Sequence, residues 1–285
     1  MHNMTQNSNP LGQFFRKPGF NIRLPSGGRF YKQPPKMTVD GEVAVFPMTA
    51  KDELLVKNAD SLLNGDALTN LIRSCVPDIA DPSEIPNPDV DAILLGIRKA
   101  TYGQNLEITT TCPCGEWTGN YAIGIDQMLI KIKDTDQTPV AQLENGLKVH
   151  LKPNCLSDQN RLGMAQFENV RKLQAVADSD DETIKMRVSN DITNKNIVLA
   201  SELISNSITA VEMPDGQSVN DRAAIQEWLA QLETVEFKKI EDRLRQLNSS
   251  GSESEMEVKC GKEGCDRRFK VDFTLDPVSF FGAGS

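Results

Sequence analysis

The sequence predicts an α+β protein: β-hairpins around two cysteine pairs, split by a mainly helical insertion and preceded by an extended N-terminal arm. Apolar and polar residues alternate beside each pair, in LEITTTC and NYAIGI around Cys112 and Cys114 and in EMEVKC and FKVDFTL around Cys260 and Cys265. That is the period of a strand with one covered face. Between the pairs, long stretches place apolar residues three and four apart, the period of a helix. Ahead of both, LGQFFRKPGFNIRLPSGGRFYKQPP meets Gly or Pro too often to sustain a helix. Four segments follow: the arm at 1–36, an α/β segment with the first cysteine hairpin at 37–125, the mainly helical insertion at 126–254, and the second hairpin with a C-terminal tail at 255–285.

In order, the arm turns at Pro25-Ser26-Gly27-Gly28 and carries Phe14, Phe15, Phe20, Leu24, Phe30 and Tyr31, which need a cover. Its own domain or a neighbouring subunit can provide one. MTVDGEVAVFPM reads as a strand pair turning at Asp40-Gly41. Thr49 is placed to cap a helix running from Ala50 towards Gly65; DALTNLIRSCV makes a second helix and DVDAILLGIRKATYG a third, closed by Gly103. In the third, Val90, Ile93, Leu94, Ile97 and Ala100 share one face, as core packing requires. LENGLKVHLKP is a strand preceded by an Asn145-Gly146 turn. Ser157 caps DQNRLGMAQFENVRKLQAVAD, whose Leu162, Phe167, Val170, Leu173 and Val176 supply an apolar face. A further helix runs from DDETIKMRV into NKNIVLASELI. ITAVEMPDGQSV turns back at Asp215-Gly216, Asn220 starts DRAAIQEWLAQL, and TVEFKKIEDRLRQL points Val235, Ile240, Leu244 and Leu247 inward.

Composition excludes several functions. Lys and Arg number 31 against 40 Asp and Glu, a formal charge of -9 whose field repels phosphate backbones, so no nucleic-acid partner is expected. No run of 18 apolar residues is present, so no membrane partner is expected either. The polar MHNMTQNSNP lacks the basic start and apolar stretch of a secretion signal, which points to a chain made in the cytoplasm. His2 and His150 are the only histidines, too few for triads or metalloprotease motifs. No Gly-rich loop ends in Lys-Ser or Lys-Thr, and the acidic run DSDDE (178–182) is a solvated helix start. The chain reads as a non-enzyme without a small-molecule substrate.

In a reducing compartment the six cysteines are thiols or metal ligands rather than disulfides. Cys75 and Cys155 stand without partners at ligand spacing and read as buried small apolar groups. His150, alone on a strand, reads as structural. Cys112, Cys114, Cys260 and Cys265 form two tight pairs on hairpin turns, where Gly115, Gly261 and Gly264 let the backbone wrap closely around a metal. Four thiolates suit a tetrahedral structural zinc, and two hairpins presenting them make a split zinc ribbon. The intervals depart from the usual two residues: one lies between Cys112 and Cys114, four between Cys260 and Cys265. Reduced or disulfide-bonded thiols are the alternative. A four-thiolate site is closed, so it would hold structure, here across a loop of about 150 residues.

The segments LPSGGRFY (24–31), TAKDELLV, LLNGDALTNLIRSCV (62–76), DVDAILLGIRKATYG (89–103), TTTCPCGEW and VKCGKEGC, with the ending FTLDPVSFF (273–281), follow one another along the chain. In that combination the chain resembles the baseplate hub and hub-assembly proteins of T-even-type contractile-tailed bacteriophages. The resemblance implies a structural component of the virion tail baseplate, in its hub region, assembled in the host cytoplasm through contacts with other phage tail or baseplate proteins. A transient hub-assembly chaperone absent from the mature virion is the second reading. A zinc-ribbon adaptor for nucleic acid is a third, which the acidic charge opposes. Candidate docking residues are Phe14, Phe15 and Phe20 in the arm and Phe280 and Phe281 in the tail, unless the tail pair folds back on the ribbon.

Overall fold

The computed structural model describes residues 10–57, 65–177, 181–249 and 255–272. The fold is mixed α/β, with helices covering small antiparallel sheets. Part of the arm belongs to the first core. Strand β1 (Phe20–Arg23) pairs antiparallel with β2 (Glu42–Val45), in the register Phe20 to Val45 and Ile22 to Val43. The pairing expected between residues 37–39 and β2 is confined to the turn at Asp40-Gly41, where the Thr38 carbonyl accepts from Gly41 N–H at 3.0 Å and Thr38 N–H donates to the Glu42 carbonyl at 2.8 Å. Val39 on that side is wholly exposed, whereas β1 contributes Ile22 and leads into Leu24, both buried. Each such side chain is worth about 1.5–3 kcal/mol when covered, so burial selects β1 as the partner.

Helices α1 (Ala50–Val56), α2 (Asp66–Cys75), α3 (Asn87–Tyr102) and the short α4 (Ile125–Lys131) complete this core. Thr49 caps α1 reciprocally with Asp52, as its position implied; the rest of the helix expected to end at Gly65 lies outside the described residues. Val90, Ile93, Leu94 and Ile97 of α3 are buried as their spacing predicts, but Ala92, Leu95 and Gly96 are buried too. β1 covers that second side at close range: a Cβ added at Gly96 would lie 3.1 Å from Ile22 Cγ2.

Two polar clasps seat the arm. Arg16 donates to the Ser74 carbonyl and the Pro47 carbonyl, each at 2.6 Å, and lies 3.5 Å from Asp52. Asp89, wholly buried in the first turn of α3, accepts from Ser26 N–H (2.7 Å), Ser26 Oγ (2.5 Å) and Tyr31 Oη (2.7 Å). Burial pushes its carboxyl up to about 6, although the three hydrogen bonds pull the other way. This buried acid is what the Ser-Gly-Gly turn wraps.

The insertion holds the largest sheet among the described residues. Strands β5 (Val140–Gln142), β6 (Lys148–Leu151), β7 (Ile208–Glu212) and β8 (Ser218–Val219) lie in that order, all antiparallel. The two hairpins at Asn145-Gly146 and Asp215-Gly216 are therefore joined edge to edge by the pairing of β6 with β7. Helices α7 (Arg222–Ala230) and α8 (Thr234–Ser249) cover the sheet, and Ile225, Leu229, Ile240, Leu244 and Leu247 close a second core with Val149 and Val211. Asp221 rather than Asn220 caps α7, accepting from Ala224 N–H at 2.8 Å. Val235 is exposed. Glu236 and Phe237 of the same turn face inward instead, so Val235 lies out of phase with Ile240, Leu244 and Leu247.

Helices α5 (Leu156–Ala177) and α6 (Glu182–Ser207) connect β6 to β7 as a long antiparallel pair. α5 starts two residues earlier than a Ser157 cap implies, with Asp158 accepting from Cys155 N–H at 3.0 Å. Its expected apolar face does not enter a core: Leu162, Phe167, Val170 and Leu173 are exposed, and only Leu156 of α5 is buried. The two helices instead join through polar pairs, Arg161 with Glu202, Asn169 with Asn196 and Lys172 with Asp191. Both cores lie at the base of the pair and end near Leu156, Leu203 and Ile204. No helix among the described residues is long and apolar enough to cross a membrane.

Candidate metal centre

Strands β3 (Asn105–Thr111) and β4 (Thr118–Gly124) form the first cysteine hairpin; β9 (Glu255–Lys259) and β10 (Arg268–Asp272) form the second. Both tips are built alike. The leading cysteine of each pair continues the strand and closes the turn, Cys112 N–H donating to the Trp117 carbonyl at 2.8 Å and Cys260 N–H to the Arg267 carbonyl at 3.0 Å. Both leading cysteines are buried, and Cys114 and Cys265 are half-buried. The unequal intervals are taken up locally. Cys265 N–H bonds the Lys262 carbonyl at 3.1 Å, folding the four-residue interval into a turn, and Gly264 takes the φ of 83° that this requires. In the short interval Cys114 N–H points at Cys112 Sγ, 3.5 Å away.

All four sulfurs lie within 4.8 Å of one another. None of the six cysteines forms a disulfide. A tetrahedron of thiolates about 2.3 Å from an ion has edges of about 3.8 Å, so this spacing and donor set can hold a metal ion. An ion held by all four thiolates would keep no coordination position for water or substrate. Neighbouring sulfur hydrogen bonding, led by Cys112, lowers the Cys114 thiol, while burial pushes the Cys260 thiol up to about 12. Metal capture at neutral pH would therefore release a proton from Cys260.

Five residues that the ligand spacing did not reveal join the hairpins. Lys262 forms an ion pair with Glu116. The Trp117 ring lies over Gly261 so closely that a Cβ there would sit 2.7 Å from its Cζ2. Farther from the sulfurs, Tyr121 and Phe269 meet edge to face, centroids 6.1 Å apart. Trp117 directly follows Cys-Gly-Glu, and the glycines beneath it were the available signal.

The remaining candidates lie elsewhere. Phe14 (76% exposed) and Phe15 (61%) protrude at the end of a 3-10 turn spanning Pro10–Phe14. Phe20 is half-buried against the first core, with Lys99 Nζ 4.4 Å from its ring centroid. Phe280, Phe281 and His2 lie outside the described residues, as does part of the DSDDE run. His150 lies 3.1 Å from Glu212 on the central sheet. Cys75 is in the first core, its thiol pushed up to about 11 chiefly by burial. Cys155 contacts Ser157 and Asp158 where α5 begins.

No curated protein and no solved structure matches the chain. One family model does, the one described as T4 bacteriophage base plate protein, and it runs from residue 17 to residue 282, taking in the arm from Lys17 onward, both cores and both cysteine hairpins. The chain therefore belongs to the T4 bacteriophage base plate protein family.

Proposed function

We propose that this baseplate protein is a structural component of the hub region of a contractile tail, held by a zinc ribbon and acting through protein–protein contacts during tail assembly. The observation that carries it is the closed cluster of four thiols from two hairpins about 150 residues apart, a site suited to fixing a shape. Zinc is the ion that an all-thiolate tetrahedron suits best among common structural metals. On this reading the chain catalyses nothing. Phe14 and Phe15, which protrude beside a cleft lined by Phe46, Met48 and Pro77, are its docking aromatics.

Mass spectrometry of purified virions tests the structural role. Stoichiometric peptides from this chain support it; their complete absence overturns it in favour of a transient assembly chaperone. Elemental analysis of chain purified without added metal should find about one zinc per chain. A content below about a tenth of that refutes the zinc assignment.

A further inference from the structure

Strand β1 is paired along one edge only, against β2. The Val45 carbonyl accepts from Gly19 N–H at 2.8 Å and so faces β1, whereas the Glu42 carbonyl is turned away to Thr38 N–H. Carbonyls alternate along a strand, so Phe20 and Ile22 bond to β2 while the N–H and C=O of Asn21 and Arg23 point to the opposite edge. There they have no partner among the described residues. The next group on that edge, the Pro25 carbonyl, accepts from Thr135 N–H at 2.9 Å. The chain thus closes this edge at one end and leaves it open beside Asn21 and Arg23.

The open part borders a cleft of about 420 Å³ lined by β1, α3, α4 and the residues that follow α4. Its charged side chains cancel in pairs, Lys99 with Asp126 at 2.5 Å and Arg23 with Asp134 at 2.7 Å. Leu129, Ile130 and Ile132 supply apolar surface, and Ile130 is 83% exposed. We propose that an extended, uncharged segment of another tail protein adds to this edge as a third strand, bonding Asn21 and Arg23 and laying apolar side chains in the cleft. The proposal rests on the reading of this chain as a component that works through protein–protein contacts, and it locates one of them. The main chain selects the occupant's form: N–H and C=O groups on alternate residues, about 6.8 Å apart, are matched by another strand. Charge selects its composition. Although the chain carries -9, every cation and anion lining the cleft already has its partner, so a charged segment would find nothing there to meet it.

Replacing Ile130 by benzoylphenylalanine and cross-linking in infected host cells tests this. The cross-link should map by mass spectrometry to one uncharged stretch of about three residues or more in another tail protein. A synthetic peptide of that stretch should slow amide exchange at Asn21 and Arg23 about tenfold or more. Asn21→Pro removes an outward N–H while leaving the bonds to β2, so it should weaken peptide binding about tenfold with the melting curve unchanged. Asn21→Ala, which keeps the N–H, should bind as the parent does. Ile130→Glu, a change at an exposed side chain, should weaken binding several-fold even if Asn21→Pro unsettles β1. Four results overturn the proposal: no cross-link; one confined to copies of this chain; a peptide that binds without slowing those two amides; or binding unmoved by both Asn21→Pro and Ile130→Glu. Cross-linking in cells reads this contact whether or not the chain stays in the virion, so its failure is distinct from failure of the structural role.

Discussion

Replacing Asp89 by Asn removes a buried charge from the contact that seats the arm while keeping its shape. The carboxyl is held up to about 6 in the folded chain, against 3.8 for the ordinary group, with burial the leading cause. Between those values the folded chain binds the proton more tightly than the unfolded chain, so stability falls as pH rises. The contribution is fully present below 3.8 and lost as pH rises through 6. A separation of about two units corresponds to about 3 kcal/mol. An asparagine amide keeps an acceptor for Ser26 N–H, donates to the Ser26 and Tyr31 hydroxyls, and does not titrate. Urea unfolding of both proteins at pH 4 and pH 7, followed by circular dichroism, isolates this group, because every other titration is common to the pair. Asp89→Asn should gain about 2–3 kcal/mol relative to the parent between the two pH values. A difference that stays constant within about 0.5 kcal/mol would refute a buried, proton-binding clasp.

Two further substitutions probe the packing and the metal centre. Gly96→Ala places a methyl 3.1 Å from Ile22 Cγ2, so β1 must shift; a loss of about 1–3 kcal/mol in urea unfolding is expected, and a neutral result would mean that the arm does not press on α3. Cys260→Ser removes a buried ligand: metal content should fall at least tenfold, and Trp117, lying over Gly261 beside the sulfurs, should move towards the fluorescence of a solvated indole. Retention of metal with unchanged emission would remove Cys260 from the ligand set.

Local patterns in the sequence were sufficient wherever a feature depends on neighbours along the chain. The Thr49 cap, the buried positions of α3, the Asn145-Gly146 and Asp215-Gly216 turns, and the two cysteine tips are all of this kind. The ordered motifs likewise pointed to phage baseplate proteins, and the family match covers them. Features set by distant partners were hidden. β2 carries the same alternation whether its partner is 37–39 or 20–23, and only the burial available to Ile22 and Leu24 decides. The merging of two hairpins through β6 and β7 depends on α5 and α6 bringing residue 208 back beside residue 151. The apolar positions of α5 look the same in sequence whether a core covers them or not. The irregular cysteine intervals concealed a similarity that becomes visible only once the turn at Lys262–Cys265 is folded.

Loop closure over about 150 residues suggests that a metal would hold the whole insertion in place, but the structure locates its effect more narrowly. Other contacts already tie the insertion to the first core. α3 packs on α8, Asn154 and Asn248 exchange two hydrogen bonds at 2.9 and 2.6 Å, and the Asn154 carbonyl accepts from Asn87 N–H at 2.8 Å. The second hairpin is different: its contacts with the first run through the sulfurs, Lys262 with Glu116, Gly261 under Trp117, and Phe269 against Tyr121. An isolated two-stranded hairpin is marginal in water, so β9 and β10 rely on that junction. Removing metal with a chelator should therefore abolish hydrogen-exchange protection in 256–271 while amides of Ile93 in α3 and Val211 in β7 remain protected. Uniform loss across all three regions would show that the thiol cluster supports the insertion as a whole. Unchanged protection in 256–271 would show that it supports neither.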